Sequence, residues 1–187
     1  MNTSRNPKHE RFLAAYRQCH EGFQRYCSAL TFGRADVEDL IQDVLLSAFK
    51  QFDQLEDPAK LQHYLIRAAR NRAVSLHRKA GRTTDLTAAH DRGLTARGAT
   101  PDQLADAHLL YRAIDKLPAK QRDAILLFEI SGFSLKEVAA SQGTTPASVK
   151  MRLQRGRAKL QKLLTDRPRR DRPGLNALLL TAKSIAL

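Results

Sequence analysis

Apolar side chains recur every three or four positions along most of this 187-residue chain, and strict apolar/polar alternation never persists. That spacing belongs to helices with one buried face, so the expected fold is all-α. Residues 9 to 32 read as one long helix or a helix pair, with Phe12, Tyr16, Phe23, Tyr26 and Leu30 on the inner side and Gly33 as the break. In residues 36 to 52 a broad stripe holds Val37, Leu40, Ile41, Val44, Leu45, Ala48, Phe49 and Phe52. Residues 58 to 79 form the next helix, with Asp57 suited to cap it and Pro58 to its first turn. From 81 to 101 the period is lost to Gly, Thr and Pro, which is the composition of a linker. Further helices are expected at 102–116, 119–131, 134–142 and 146–165.

The pattern therefore predicts two small helical domains, 8–80 and 102–165, joined by a flexible linker, 81–101. About 20 residues can stretch to ~70 Å, so the domains are expected to tumble semi-independently unless a partner clamps them. The extension 166–187 has no assigned role. It opens with a charged, Pro-broken spacer, "DRPRRDRP", and closes with "GLNALLLTAKSIAL". There Leu175, Leu178, Leu179, Ala182, Ile185 and Ala186 share a helical face. A helix this short is marginal alone. It is expected either to be unfolded or to dock on an apolar surface of this chain or a partner.

Two short helices near the end form a helix-turn-helix pattern. Ser134 and Glu137 have the spacing of a capping box, Gly143 suits a left-handed helix terminus, and Thr145 with Pro146 suits the next start. In the second helix Val149, Leu153, Gly156, Leu160, Leu163 and Leu164 form the inner stripe. At ~100° per residue the opposite face carries Ala147, Met151, Gln154, Arg155 and Ala158, flanked by Lys150, Arg152, Arg157 and Lys159. Small and hydrogen-bonding groups at the centre with cations on the shoulders suit a major-groove reader. Base edges are read from the middle and phosphates are gripped from the sides.

Two other helices carry charge of one sign. On 36 to 52 the outer face shows Asp36, Asp39, Gln42, Asp43 and Leu46, an apolar residue ringed by acids, as at the centre of a protein interface. Residues 66 to 82, "IRAARNRAVSLHRKAGR", hold six cations and no acid. Tyr64, Leu65, Ala68, Ala69 and Leu76 can pack inward, leaving Arg67, Arg70, Arg78 and Lys79 to track a phosphate backbone. Just upstream, the loop from Asp53 to Lys60 offers polar groups and helix N-terminal amides able to hold an unstacked base.

Composition narrows the partners. A formal net charge of +13 calls for a polyanion, either nucleic acid or an anionic membrane. No apolar run approaches the ~20 residues a bilayer span needs, so direct membrane insertion is not expected. The first residues, "MNTSRNPKHERF", lack a secretory core, so the expected location is cytoplasmic. Cys19 and Cys27 lie eight apart, ~12 Å of helix rise, which is too far for a disulfide. They are expected to be plain thiols, and no cofactor or metal is implied. An autonomous repressor or activator would use the helix-turn-helix but leave the acidic and basic helices without a role. A metal nuclease would need clustered carboxylates, whereas these acids run along one helix face.

In this order and around a linker, the segments resemble bacterial extracytoplasmic-function (group 4) RNA polymerase sigma factors over residues 10–165. "ADVEDLIQDVLLSAF" looks like the core-binding helix of sigma region 2, and "LQHYLIRAARNRAVSLHRK" like the later part of region 2 that handles the minus-ten element. "LPAKQRDAILLFEISGFSLKEVAASQGTTPASVKMRLQRGRAKL" is similar to region 4, which reads the minus-thirty-five element. The resemblance implies a protein that is not an enzyme. Its implied partners are core RNA polymerase, promoter DNA and an anti-sigma factor. Asp36, Asp39, Gln42, Asp43 and Leu46 would meet the coiled coil of the largest polymerase subunit. Lys150, Met151, Gln154 and Arg155, supported by Arg152 and Lys159, would serve the minus-thirty-five element. Lys60, Arg67, Arg70, Arg78 and Lys79 would serve the minus-ten element, with a flipped base held by the loop near Asp53. Tyr64 and Ile66 stand where the family often has Trp and Tyr, and Met151 and Gln154 depart from the commonest choices.

Overall fold

The computed structural model describes residues 7–32, 37–55, 57, 60–80, 100–165 and 174–185. Among them every regular element is helical: α1 (Pro7–Arg17), α2 (His20–Thr31), α3 (Val37–Gln51), α4 (Leu61–Ala80), α5 (Pro101–Ile114), α6 (Ala119–Ile125), α7 (Leu135–Ser141), α8 (Pro146–Thr165) and α9 (Leu175–Ile185). The linker from 81 to 99, the spacer from 166 to 173, and Asp36 and Pro58 lie outside the described residues. So do the side chains of Leu76, Arg78 and Lys79, which the backbone places in the last turns of α4. Among the described residues no helix is long and apolar enough to cross a membrane.

Helices α1 to α4 close around Phe12, Phe23, Tyr26, Leu40, Val44, Phe52, Leu61, Leu65 and Ile66, all buried. Phe12 meets the rings of Phe49 and Phe52 edge-on at 5.3 Å, an arrangement favoured by aromatic quadrupoles. Fully burying each large apolar side chain is worth about 1.5–3 kcal/mol before chain entropy is subtracted. Cys19 and Cys27 sit in this core as free thiols. Burial, with the Glu137 carboxylate adding to it, pushes the Cys19 thiol up to about 11, and burial pushes Cys27 up as well. Both therefore stay protonated at neutral pH. Helix α4 starts at Leu61, later than the expected 58. Asp57 instead anchors the preceding turn, its carbonyl accepting the Lys60 N–H at 2.9 Å.

The second domain opens with a capping box absent from the sequence expectations. The Thr100 hydroxyl accepts the Gln103 N–H, and Gln103 reaches back to the Thr100 N–H at 2.9 Å. What reads as one helix over 119–131 is α6 followed by a π turn, Leu126–Ile130. Ser131 closes that turn, donating from its N–H and its hydroxyl to the Leu126 carbonyl at 2.9 and 2.8 Å. Helix α8 approaches α6 closely at Gly156, where a Cβ would lie 3.1 Å from Ile125.

Of the two states expected for the tail helix, the structure shows the docked one, and the two domains are not independent of each other. Helix α9 docks on its own chain, against α5, α8 and the π turn, burying Leu178, Leu179 and Ala182. This neighbouring surface supplies the apolar partner a short amphipathic helix needs. The two domains also pack together. Phe32 stacks on Tyr111 with ring centroids 3.9 Å apart. Gln62 of α4 donates to the Glu137 carboxylate at 2.9 Å, and Arg70 pairs with Asp123 at 3.2 Å.

Candidate nucleic-acid and protein interfaces

The geometry of α8 is set by its caps. Ser134 and Glu137 form the reciprocal box at the start of α7, with the Glu137 carboxylate accepting the Ser134 N–H at 2.7 Å and the Ser134 hydroxyl accepting the Glu137 N–H at 3.3 Å. Burial would raise the Glu137 pKa. The hydrogen bonds from Ser134 and Gln62, with nearby His63, outweigh that and hold it below its ordinary value. Gly143 takes a φ of +59°, the left-handed conformation that ends α7. The Thr145 hydroxyl accepts the Ser148 N–H at 3.2 Å and starts α8.

Val149, Leu153, Gly156 and Leu160 are buried by this arrangement. Lys150, Met151, Gln154, Arg155, Ala158 and Lys159 stay exposed, with Met151 at 47%. Exposing a large thioether at that level on an otherwise polar face fits a contact surface better than a core. Arg152 is different. Half-buried, it donates to the Gln142 amide oxygen, and the Gln142 amide nitrogen donates to the Lys120 carbonyl at 3.1 Å. It braces α8 against α7 and α6 rather than projecting outward. Arg157, a predicted shoulder, pairs with Glu129, its Nε 2.7 Å from the carboxylate. Gln142 and Glu129 were not singled out from sequence, because nothing local marks partners 10 and 28 positions away.

On α3 the predicted outer face is outer. Asp39, Gln42 and Asp43 are exposed, and Leu46 is 61% exposed. Asp43 is not unattended, since Arg72 of α4 pairs with it. Asp39, Gln42 and Leu46 therefore make the cleaner part of this surface.

Helix α4 divides its cations. Arg67 is exposed, and Lys60 is exposed just before the helix begins. Arg70, expected to track a phosphate backbone, is half-buried against Asp123 of the second domain. Asp123 is only 6% exposed, and its burial raises its pKa despite the opposing pull of Arg70 and Arg122. Tyr64 packs toward α3, its hydroxyl 3.0 Å from that of Ser47, and Ile66 is buried. In the loop before α4, Asp53 is exposed but bridged to Lys8 at 2.7 Å.

Comparison with known proteins matches both halves. The Sigma-70 region 2 family matches residues 15–83, and the Sigma-70 region 4 family matches residues 107–160. The chain is 36% identical over 138 residues to the ECF RNA polymerase sigma factor EcfG of Rhodopseudomonas palustris, covering 71% of this chain and 74% of that protein. It is 29% identical over 144 residues to the RNA polymerase sigma factor CarQ of Myxococcus xanthus, covering 75% and 82%. Among solved structures it resembles the sigma factor RpoE of Bartonella quintana in complex with the anti-sigma factor NepR, at a TM-score of 0.59 and 29% identity over 83% of this chain and 98% of that one. It also resembles CnrH in complex with the cytosolic domain of CnrY, at a TM-score of 0.59 and 26% identity, covering 83% and 89%. The acidic face of α3 and the basic face of α8 thus fall within the two matched regions of one family: the chain belongs to the extracytoplasmic-function RNA polymerase sigma factors.

Proposed function

We propose a division of labour by which this sigma factor, working in the cytoplasm, directs promoter-specific transcription initiation. The α3 face of Asp39, Gln42, Asp43 and Leu46, together with Asp36 just before it in the sequence, docks on core RNA polymerase. Acids around a central exposed leucine suit a basic partner with an apolar seat, where charge sets orientation and the leucine supplies affinity. The α8 face reads the minus-thirty-five element, with Met151, Gln154 and Arg155 toward the bases and Lys150 and Lys159 on the phosphates. The α4 cations and the loop from Asp53 to Lys60 serve the minus-ten element. An anti-sigma factor is a further partner, by analogy with the complexes of RpoE with NepR and of CnrH with CnrY.

The observation that carries this reading is the exposure of Leu46 amid carboxylates on the first domain. A free-standing DNA-binding regulator has no use for it. The test is run-off transcription with purified core enzyme on a genomic promoter library. Discrete start sites that require both the chain and core polymerase are expected. Tight, site-specific duplex binding by the chain alone, with no transcripts on adding core, would contradict it.

A further inference from the structure

We propose that Gln142, in the turn of the helix-turn-helix, is a positioning residue that presents Arg152, with its charge intact, to a phosphate of the promoter. The inference deepens the reading above and rests on its assignment of α8 to the minus-thirty-five element.

Gln142 follows α7 directly and precedes the left-handed Gly143. Its backbone is fixed there, its N–H donating to the Val138 carbonyl at 2.9 Å. Its side chain reaches in two directions at once. The amide nitrogen donates to the Lys120 carbonyl, in the first turn of α6, at 3.1 Å. The amide oxygen accepts from Arg152 on α8. The nitrogen can only donate and the oxygen only accept, so a carbonyl on one side and a guanidinium on the other fix which way the amide lies. One side chain thus ties all three helices of the motif to a single cation.

The use of an amide matters for the charge. Arg157, Arg70 and Arg72 each meet a carboxylate, on Glu129, Asp123 and Asp43, which offsets their charge. An amide oxygen holds a guanidinium in place without neutralising it. A guanidinium also carries five N–H donors in a planar fork, of which the bond to Gln142 takes one. Arg152 is half-buried, not covered. It is therefore held still while keeping both charge and donors for an anion.

Its place on the helix suits a phosphate. Lys159 lies two turns further along α8 on the same side, about 10 Å of rise away, and is exposed. That is the shoulder assigned above to phosphates, and Met151, on the base-facing side, is the residue next to Arg152. A phosphate contact held at this point sets the register in which Met151, Gln154 and Arg155 meet the bases. Gln142 itself need not touch DNA. It acts through Arg152, by ordering a long side chain before binding instead of during it.

The test uses the full chain with core polymerase and follows promoter affinity as a function of salt. Arg152→Ala should lower the salt slope by about one, the signature of one lost phosphate contact. Gln142→Met keeps the length of the side chain and removes the tether. It should leave the slope unchanged, because the cation can still reach the phosphate, and lower affinity by about two- to tenfold, because Arg152 must now be ordered on binding. Added to Arg152→Ala, the same change should cost nothing further. Gln142→Glu still holds Arg152 but offsets its charge, so its slope should fall as in Arg152→Ala, and the two changes combined should lower it no further. This variant decides the matter if Gln142→Met fails to fold. An unchanged slope in Arg152→Ala or in Gln142→Glu overturns the proposal, as does full affinity in Gln142→Met. An equal loss from Gln142→Met with and without Arg152 also overturns it, since Gln142 would then support the turn alone. If Arg152→Ala and Lys159→Ala both keep wild-type promoter affinity, the assignment of α8 to DNA itself fails and the positioning role falls with it.

Discussion

The chain has two basic helices, α8 and α4, and they dispose of their charge differently. On α8 the central outward residues Gln154 and Arg155 are exposed, while Arg152 and Arg157 brace the helix-turn-helix through Gln142 and Glu129. On α4 the neutralised cations include Arg70, held by the other domain, and Arg72, held by α3. In α8 the internal pairs fix the orientation of a surface that stays open. In α4 an internal pair closes part of the surface. Positive charge along a helix raises the expectation of a polyanionic partner. Only the partners across the fold say which cations are available at a given moment.

The largest expected effect is on neither basic helix but on the acidic one, which on the proposed reading must engage polymerase before either reaches DNA. Asp39→Arg places a cation in the face proposed to dock on polymerase, and like-charge juxtaposition at a complementary interface costs several kcal/mol. Affinity for core polymerase should fall by at least about a hundredfold, as measured by competition binding. Leu46→Ala should cost about 2 kcal/mol if it is the apolar anchor. Both side chains are exposed in the folded protein, so thermal stability should hold. Asp43 is a poorer probe, because its substitution also strands Arg72.

Removing residues 174–187 ranks next. Leu178 and Leu179 are buried, each worth about 1.5–3 kcal/mol gross, from which the entropy of ordering the helix is subtracted. A net loss of about 2 kcal/mol should lower the thermal midpoint of the second domain by several degrees. An unchanged melting curve would show that α9 is a passenger.

The open surface of α8 is sharpened by paired variants. Arg155→Ala should relax base preference at one minus-thirty-five position by ~1–3 kcal/mol. Lys159→Ala should weaken all promoters about equally and lower the salt slope by about one. Binding across single-base promoter variants at two salt concentrations separates them. A uniform loss from Arg155→Ala would remove the distinction between centre and shoulder.

The smallest effect concerns how α8 is held. Ser134→Ala removes one half of the capping box and should cost about 1 kcal/mol. Glu137 supplies the other half. Its folded pKa lies below its ordinary value, so its contribution is complete above the usual glutamate range and is lost as pH falls through the lowered value. The stability gap between wild type and Glu137→Gln should therefore be present at neutral pH and shrink below pH ~4, as followed by chemical denaturation.

Much of this was legible in the sequence because it is local. The stripe of Val149, Leu153, Gly156 and Leu160, the Ser134 box and the left-handed Gly143 each depend on residues within a few positions. So did the exposure of Leu46, since a helix has only one inner face. Arg70's commitment to Asp123, 53 positions away, left no trace, because a cation beside a linker looks the same whether it faces solvent or another domain. The π turn at 126–130 was equally silent, as its residues keep an apolar pattern that suits an α-helix. The tail showed its amphipathic face but not its partner, since the surface it covers is assembled from α5, α8 and the π turn.

The most direct test of the central claim is reconstituted initiation with core polymerase, comparing wild type with Asp39→Arg and Arg155→Ala on one cognate promoter and its single-base minus-thirty-five variants. Asp39→Arg should abolish transcription from all of them through failure to bind core. Arg155→Ala should retain core binding and lose discrimination at a single position. Wild-type transcription by Asp39→Arg, or full discrimination by Arg155→Ala, would contradict the assignment of α3 to polymerase or of α8 to the promoter.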